Sequence, residues 1–139
     1  MVIDPNVCVA ALINPYGTPA AVMDAVADRR LHAVVTQRLL DELSEVVARP
    51  KFRRWFSAEE GTAFVTALAA VAEAGADPVE VAPVVRDPDD DYLVAVSRAS
   101  QAVLVTGDDD LLSADLEPPV RTPRQILQMI AGEEAWPTA

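Results

Sequence analysis

Apolar residues in this chain fall into two kinds of stretch, short near-continuous runs and longer segments with helical spacing. Val2-Ile3 is a short buried-strand signal, followed by an apolar helical stretch from Pro5 to about Ile13, with proline at a helix start as its fixed φ allows. Thr18-Pro19 reads as N-cap and first helical residue of a segment to Arg30. "HAVVT" (32–36) then reads as a strand, and Thr36 caps a helix that Pro50 stops. "SAEE" (57–60) is a capping box opening a helix to about Ala74, and "VEVAPVV" (79–85) reads as a third strand. A helix over 88–100, a fourth strand at "AVLVT" (102–106) and a last helix opened by Thr122-Pro123 complete the pattern. Strands without polar alternation, interleaved with helices, predict an α/β fold with a parallel sheet of about five strands covered by helices on both faces.

Length adds one constraint. The 139 residues suit one domain spanning 1–139, with a loose tail over about 132–139. Hydrophobic residues make up 51% of the chain, yet no apolar run approaches the ~18 residues of a membrane span and no leader is visible. The expectation is a soluble, cytoplasmic protein with no membrane partner. Cys8, the one cysteine, lies between Val7 and Val9 and reads as a core filler rather than a nucleophile.

Charge changes the picture more. The chain carries 22 acidic residues against 11 Lys plus Arg, for a formal net charge of −11. Its distribution is uneven. Seven of the 11 basic residues (Arg29, Arg30, Arg38, Arg49, Lys51, Arg53, Arg54) fall between 29 and 54, where the acids are Asp41, Glu42 and Glu45. Screening limits the reach of distant charge to about 8 Å, so such a segment can hold phosphates inside an acidic protein or simply form a solvated face. Conversely, seven aspartates crowd residues 86–112, around an otherwise apolar helix and strand.

In open parallel sheets, ligands bind beyond the carboxyl ends of the strands. Asp4 follows the first strand, Asp108 lies two residues past the fourth, and Asp87 to Asp91 sit where a loop enters the 88–100 helix. At about 100° per residue, Leu39, Leu40, Leu43, Val46 and Val47 share one arc of their helix; Glu42 borders it, while Asp41 and Glu45 point away. Carboxylates gathered in this way repel unless a cation sits among them, and oxygen ligands suit Mg²⁺ or Mn²⁺. With one Cys and one His, zinc has no ligand set. The plainer account is N-capping by Asp87 or Asp89 together with solvation, which covers about two of the aspartates and leaves Asp4 unexplained.

The segments "VIDPNVCVAAL" (2–12), "RLLDELSEVVARPKF" (38–52), "DPDDDYLVAVSRA" (87–99), "VLVTGDDDLL" (103–112) and "RTPRQILQMI" (121–130) together resemble a PIN domain. They are most similar to the VapC-like toxin components of type II toxin-antitoxin systems. The resemblance implies a PIN-like α/β/α sandwich and a metal-dependent ribonuclease using Mg²⁺ or Mn²⁺. It places the family's acidic quartet on Asp4, Glu42, Asp90 and Asp108, as catalytic and metal-binding residues. Asp91 is an alternative to Asp90, and Asp110 a further ligand. Asn6 and Thr106 take supporting positions, and Pro5 stands where the family usually has Thr or a small polar residue. Expected partners are an RNA substrate, contacted by Arg49, Lys51, Arg53 and Arg54, a cognate antitoxin protein, and a second copy in a homodimer.

Two other readings stay open. Acidic strand ends also mark Mg²⁺-dependent phosphatases of the haloacid-dehalogenase type and response-regulator receivers, but both need a lysine after a later strand, and the one lysine, Lys51, precedes the third. A non-catalytic PIN-like module binding RNA or protein is the alternative from a different functional class.

Overall fold

The strands of this protein are very short, and helices do most of the packing. The computed structural model describes residues 1–135, with side chains through Gly132. Five two-residue strands, β1 (Val2–Ile3), β2 (Val34–Val35), β3 (Glu73–Ala74), β4 (Leu104–Val105) and β5 (Val120–Arg121), alternate with helices α1 (Pro5–Ile13), α2 (Thr18–Ala27), α3 (Gln37–Val47), α4 (Ala58–Val71), α5 (Pro88–Ser100), α6 (Asp109–Leu112) and α7 (Pro123–Ala135). All strand pairs are parallel, in ladders β1-β4-β5 and β2-β3. Two backbone bonds, Met1 N–H to the His32 carbonyl at 2.7 Å and Val34 N–H to the Met1 carbonyl at 2.8 Å, join the ladders at β1 and β2. The spatial order is therefore β3-β2-β1-β4-β5, and it reverses between β1 and β4.

Alternation along each strand sends successive side chains to opposite faces. Val2 and Leu104 pack with Leu93, Val96, Leu111 and Val120 on the α5 side. Ile3 turns to the other face, against Val7, Met23, Leu43 and Val47 from α1, α2 and α3, and Val105 does the same with Val22, Ile126 and Ile130 from α2 and α7. Both faces are covered, as the unbroken apolar strands require. Burying each such side chain contributes about 1.5–3 kcal/mol. Among the described residues, no helix is long and apolar enough to cross a membrane.

Three expected elements shift. Residues 79–85 form no strand: Val79 is fully exposed and Val81 largely so. Pro83 removes a backbone donor there, and the Val84 and Val85 N–H groups are taken by the Asp91 carboxylate rather than by a neighbouring strand. The strand paired with β2 is instead Glu73–Ala74, inside a stretch whose alanines read as helix; α4 stops at Val71, and the Glu73 and Gly75 N–H groups bond the Ala33 and Val35 carbonyls at 2.8 and 2.7 Å. α2 ends at Ala27, three residues before the expected Arg30, because Arg29 adopts a left-handed φ of 60°. α7 extends to Ala135, past the start of the expected tail, and residues 136–139 lie outside the described residues.

Candidate active site

The switch between β1 and β4 is the crevice where open parallel sheets bind ligands. The chain leaves β1 straight into Asp4 and leaves β4 into Thr106-Gly107-Asp108. Asp4 is 3% exposed. One of its oxygens accepts the Asn6 N–H at 2.9 Å and the other accepts the Thr106 hydroxyl at 2.8 Å. The Thr106 oxygen in turn accepts the Asp108 N–H at 3.0 Å. A fully buried threonine thus ties the two strand-end aspartates together. Burial, above the charge of Asp108, raises the Asp4 carboxyl above the usual carboxylate range, while the Asn6 and Thr106 donors work the other way. An open cleft lined by Asp4, Asn6, Thr18, Gly107, Asp108 and Pro123 lies in front of them.

Capping reaches further here than the residue pattern suggests. Asp4 caps α1, Asp87 caps α5 through the Asp89 N–H at 2.9 Å, and Asp108 caps α6 through the Asp110 N–H at 2.9 Å. The expectation that capping leaves Asp4 unexplained is therefore overturned, because Pro5 starts a helix immediately after β1. The same geometry brings three helix N-termini to one edge of the sheet, where their dipoles offset part of the acidic repulsion.

Asp90 and Glu42 cap nothing. Asp90, on the first turn of α5, is pushed up to about 7 by partial burial, then by the charge of Asp108 and a hydrogen bond shared with its carboxyl, with Asp87 and Asp4 adding to the effect. Glu42, half-buried on α3, is raised by burial and then by Asp89, with Asp4 and Glu45 contributing and Arg38 opposing. Asp4, Glu42, Asp90 and Asp108 thus share one electrostatic environment.

The neighbouring aspartates separate clearly. Asp91 is 7% exposed and its carboxylate accepts the Val84 and Val85 N–H groups at 2.9 and 2.8 Å, anchoring the irregular segment before α5. Asp110 is exposed and contributes its backbone N–H to Asp108. Cys8 is buried, and its thiol is pushed up to about 12 by burial and then by Asp4, in keeping with a core filler.

The family model for the PIN domain matches residues 1–110, the stretch from β1 to the first residues of α6 and so every carboxylate just described. The chain belongs to the PIN domain family. This PIN domain is 30% identical over 113 residues to an uncharacterized protein of Methanocaldococcus jannaschii, an alignment covering 81% of this chain and 73% of that protein. Its fold is similar to that of a chain in the crystal structure of VapBC2 from Rickettsia felis bound to a DNA fragment from their promoter. The TM-score is 0.59 at 15% identity, over 86% of this chain and 95% of the other.

Within the PIN domain the basic segment stands apart from the acidic edge. Arg49, Lys51 and Arg54 are exposed around a 3₁₀ turn, Pro50–Phe52, beyond the far end of α3. Arg53 folds back instead, donating to the carbonyls of Val47 and, at 3.4 Å, Arg49, with its guanidinium 5.3 Å from the Phe56 ring centre. Arg53 therefore closes the end of α3. The cation that does reach the carboxylates is Arg38, one turn before Glu42, whose guanidinium lies 3.9 Å over the Tyr92 ring. The Tyr92 hydroxyl bridges Asp77 and, at 2.7 Å, the Thr36 hydroxyl. This link ties the start of α3 to α5. Nothing in the hydrophobic pattern marked Arg38 or Tyr92; only the basic count of the segment included Arg38.

The donor set is all oxygen, which fits a hard divalent cation held by one or two carboxylates with waters or substrate oxygens completing the shell. Among the described residues, no three Asp, Glu, His or Cys side chains form a ready-made metal cluster.

Proposed function

We propose that this PIN domain is a divalent-metal-dependent ribonuclease that hydrolyses phosphodiester bonds, with Asp4, Glu42, Asp90 and Asp108 as its acidic site. The observation that carries the reading is the Asp90–Asp108 pair: Asp90 caps no helix, yet it is held against a second carboxyl and raised to about 7 at the sheet's switch point. Such an arrangement costs stability, and a cation-binding role accounts for its retention. Mg²⁺ or Mn²⁺, held by Asp108 and Asp90 with Asp4 and Glu42 alongside, would supply charge neutralisation at the phosphodiester and make water more acidic.

The remaining work belongs to the chain itself. Thr106 and the Asn6 N–H hold Asp4 in one orientation, so the acidic edge is organised before substrate arrives. The one histidine, His32, precedes β2 and so lies at the opposite edge of the sheet, and the Cys8 thiol stays protonated, which leaves carboxylates and water for proton transfer. The fold shared with a VapBC2 chain makes a toxin paired with a protein antitoxin the preferred biological setting.

The lack of a ready-made cluster of three ligating side chains favours one other reading, a PIN-like module that binds without cutting. A cleavage assay separates them. The full-length protein should cut defined single-stranded RNAs with Mg²⁺ or Mn²⁺ and stop with EDTA, and Asp108→Asn should lower the rate at least about 100-fold. Equal cleavage by Asp108→Asn would remove the assignment, and no cleavage by the parent under any divalent ion would favour the binding module.

A further inference from the structure

We propose that the turn after α3 is a landing site for single-stranded RNA, with Trp55 stacking a base and Arg49, Lys51 and Arg54 holding phosphates. The identity of the polymer rests on the nuclease reading, whereas the surface is a feature of the fold. Trp55 is 47% exposed, one of the few large hydrophobic side chains left open to solvent. It is held from below, since Phe52 tilts against it at 6.3 Å and stacks on the buried Phe56 at 5.7 Å. The Arg54 guanidinium lies 4.8 Å from the Trp55 ring centre and the Lys51 ammonium 5.1 Å from that of Phe52.

In a chain of net charge −11 these cations would be expected to find carboxylates, yet among the described residues Arg49, Lys51 and Arg54 pair with none. Glu45 and Glu59, the acids nearest in sequence on either side, are exposed, and Glu60 is committed to the capping box with Ser57. Fixed aromatic planes beside unpaired cations match the alternation of base and phosphate in a single strand. An acidic peptide would use the cations and leave Trp55 idle, and an anionic membrane would be repelled by the rest of the molecule. Arg49 lies seven residues after Glu42, about 10 Å along the α3 axis, close enough for one strand to reach both places.

The test uses the full chain carrying Asp108→Asn, to prevent cutting, and Trp136→Phe, which leaves Trp55 as the one tryptophan of the two in the sequence. A 12-nucleotide single-stranded RNA should quench its fluorescence. Trp55→Ala should weaken binding roughly ten-fold and Trp55→Phe should restore most of it. Lys51→Ala and Arg54→Ala should each flatten the log–log salt dependence by up to about 0.7. Binding without quenching, an unchanged Kd in Trp55→Ala, no RNA binding, or quenching by phosphatidylserine vesicles in place of RNA would each overturn the proposal. Because no cutting is measured, a protein that binds in this way but never cleaves refutes the nuclease reading alone. One that cleaves with an unchanged KM after Trp55→Ala refutes the landing site alone.

Discussion

The middle of α3 and the turn past its end carry opposite kinds of charge. At its middle, Glu42 feels the charges of Asp89 and Asp4, and Glu42, Asp4 and Asp90 are each raised first by burial and then by neighbouring carboxylates. Past its end, Arg49, Lys51 and Arg54 are solvated, and Lys51 and Arg54 lie beside aromatic faces. Burial makes the first cluster strained, so its state depends on pH and on cations. Exposure leaves the second cheap to maintain, so its influence should appear in binding and salt dependence. Like charge costs most where water is excluded.

The sharpest way to break this contrast is within the acidic edge, between adjacent aspartates. Asp90→Asn should lower cleavage at least about 100-fold while leaving the fold intact. Asp91→Ala should do the reverse, costing about 1–3 kcal/mol of stability because the Val84 and Val85 N–H groups lose their acceptor, with cleavage largely kept in the molecules that fold. Rates and melting curves on the two variants decide the matter; equal losses of activity would show that α5 presents both carboxylates to the site.

A smaller effect is expected in stability. The folded Asp90 carboxyl titrates near 7, against about 3.8 when unfolded. Below about pH 4 both states hold the proton and nothing is lost. As pH rises through the window from about 4 to about 7 the unfolded chain releases its proton first, so the metal-free protein loses stability. Asp90→Asn should flatten that decline. A cation bound only by the folded state at 100 times its Kd adds about 2.7 kcal/mol, a melting shift of several degrees. Its benefit should grow from pH 5 to pH 7.5, since proton and cation compete for the same oxygens. Melting curves with and without Mg²⁺ at the two pH values check this, and an identical shift at both would dissolve the distinction between a strained acidic edge and an ordinary row of caps.

The chain alone determined the fold class and the location of the acidic edge. Val2-Ile3 and Leu104-Val105 lack polar alternation, which allows only a sheet covered on both faces, and the strand-end rule then places Asp4 and Asp108 together. The β3 position was hidden because Glu73–Ala74 has helix-forming composition and owes its state to backbone bonds with β2. Local pattern carries no record of such a partner, nor of the Asp91 carboxylate that takes the Val84 and Val85 N–H groups of the segment that reads as a strand. The same reason hid the roles within the site. Asp90 and Asp91 are equivalent in the sequence, one helix step apart. Only the packing of the Val84-Val85 segment and the approach of Asp108 decide that one aspartate anchors backbone and the other is raised by burial and a neighbouring carboxyl. Arg53 and Arg54 differ likewise, because the carbonyls at the end of α3 claim the first and leave the second beside Trp55. Helical and strand periodicity come from the local backbone and can be read along the chain, but which of two adjacent like charges turns inward depends on partners tens of residues away, which only the tertiary structure supplies.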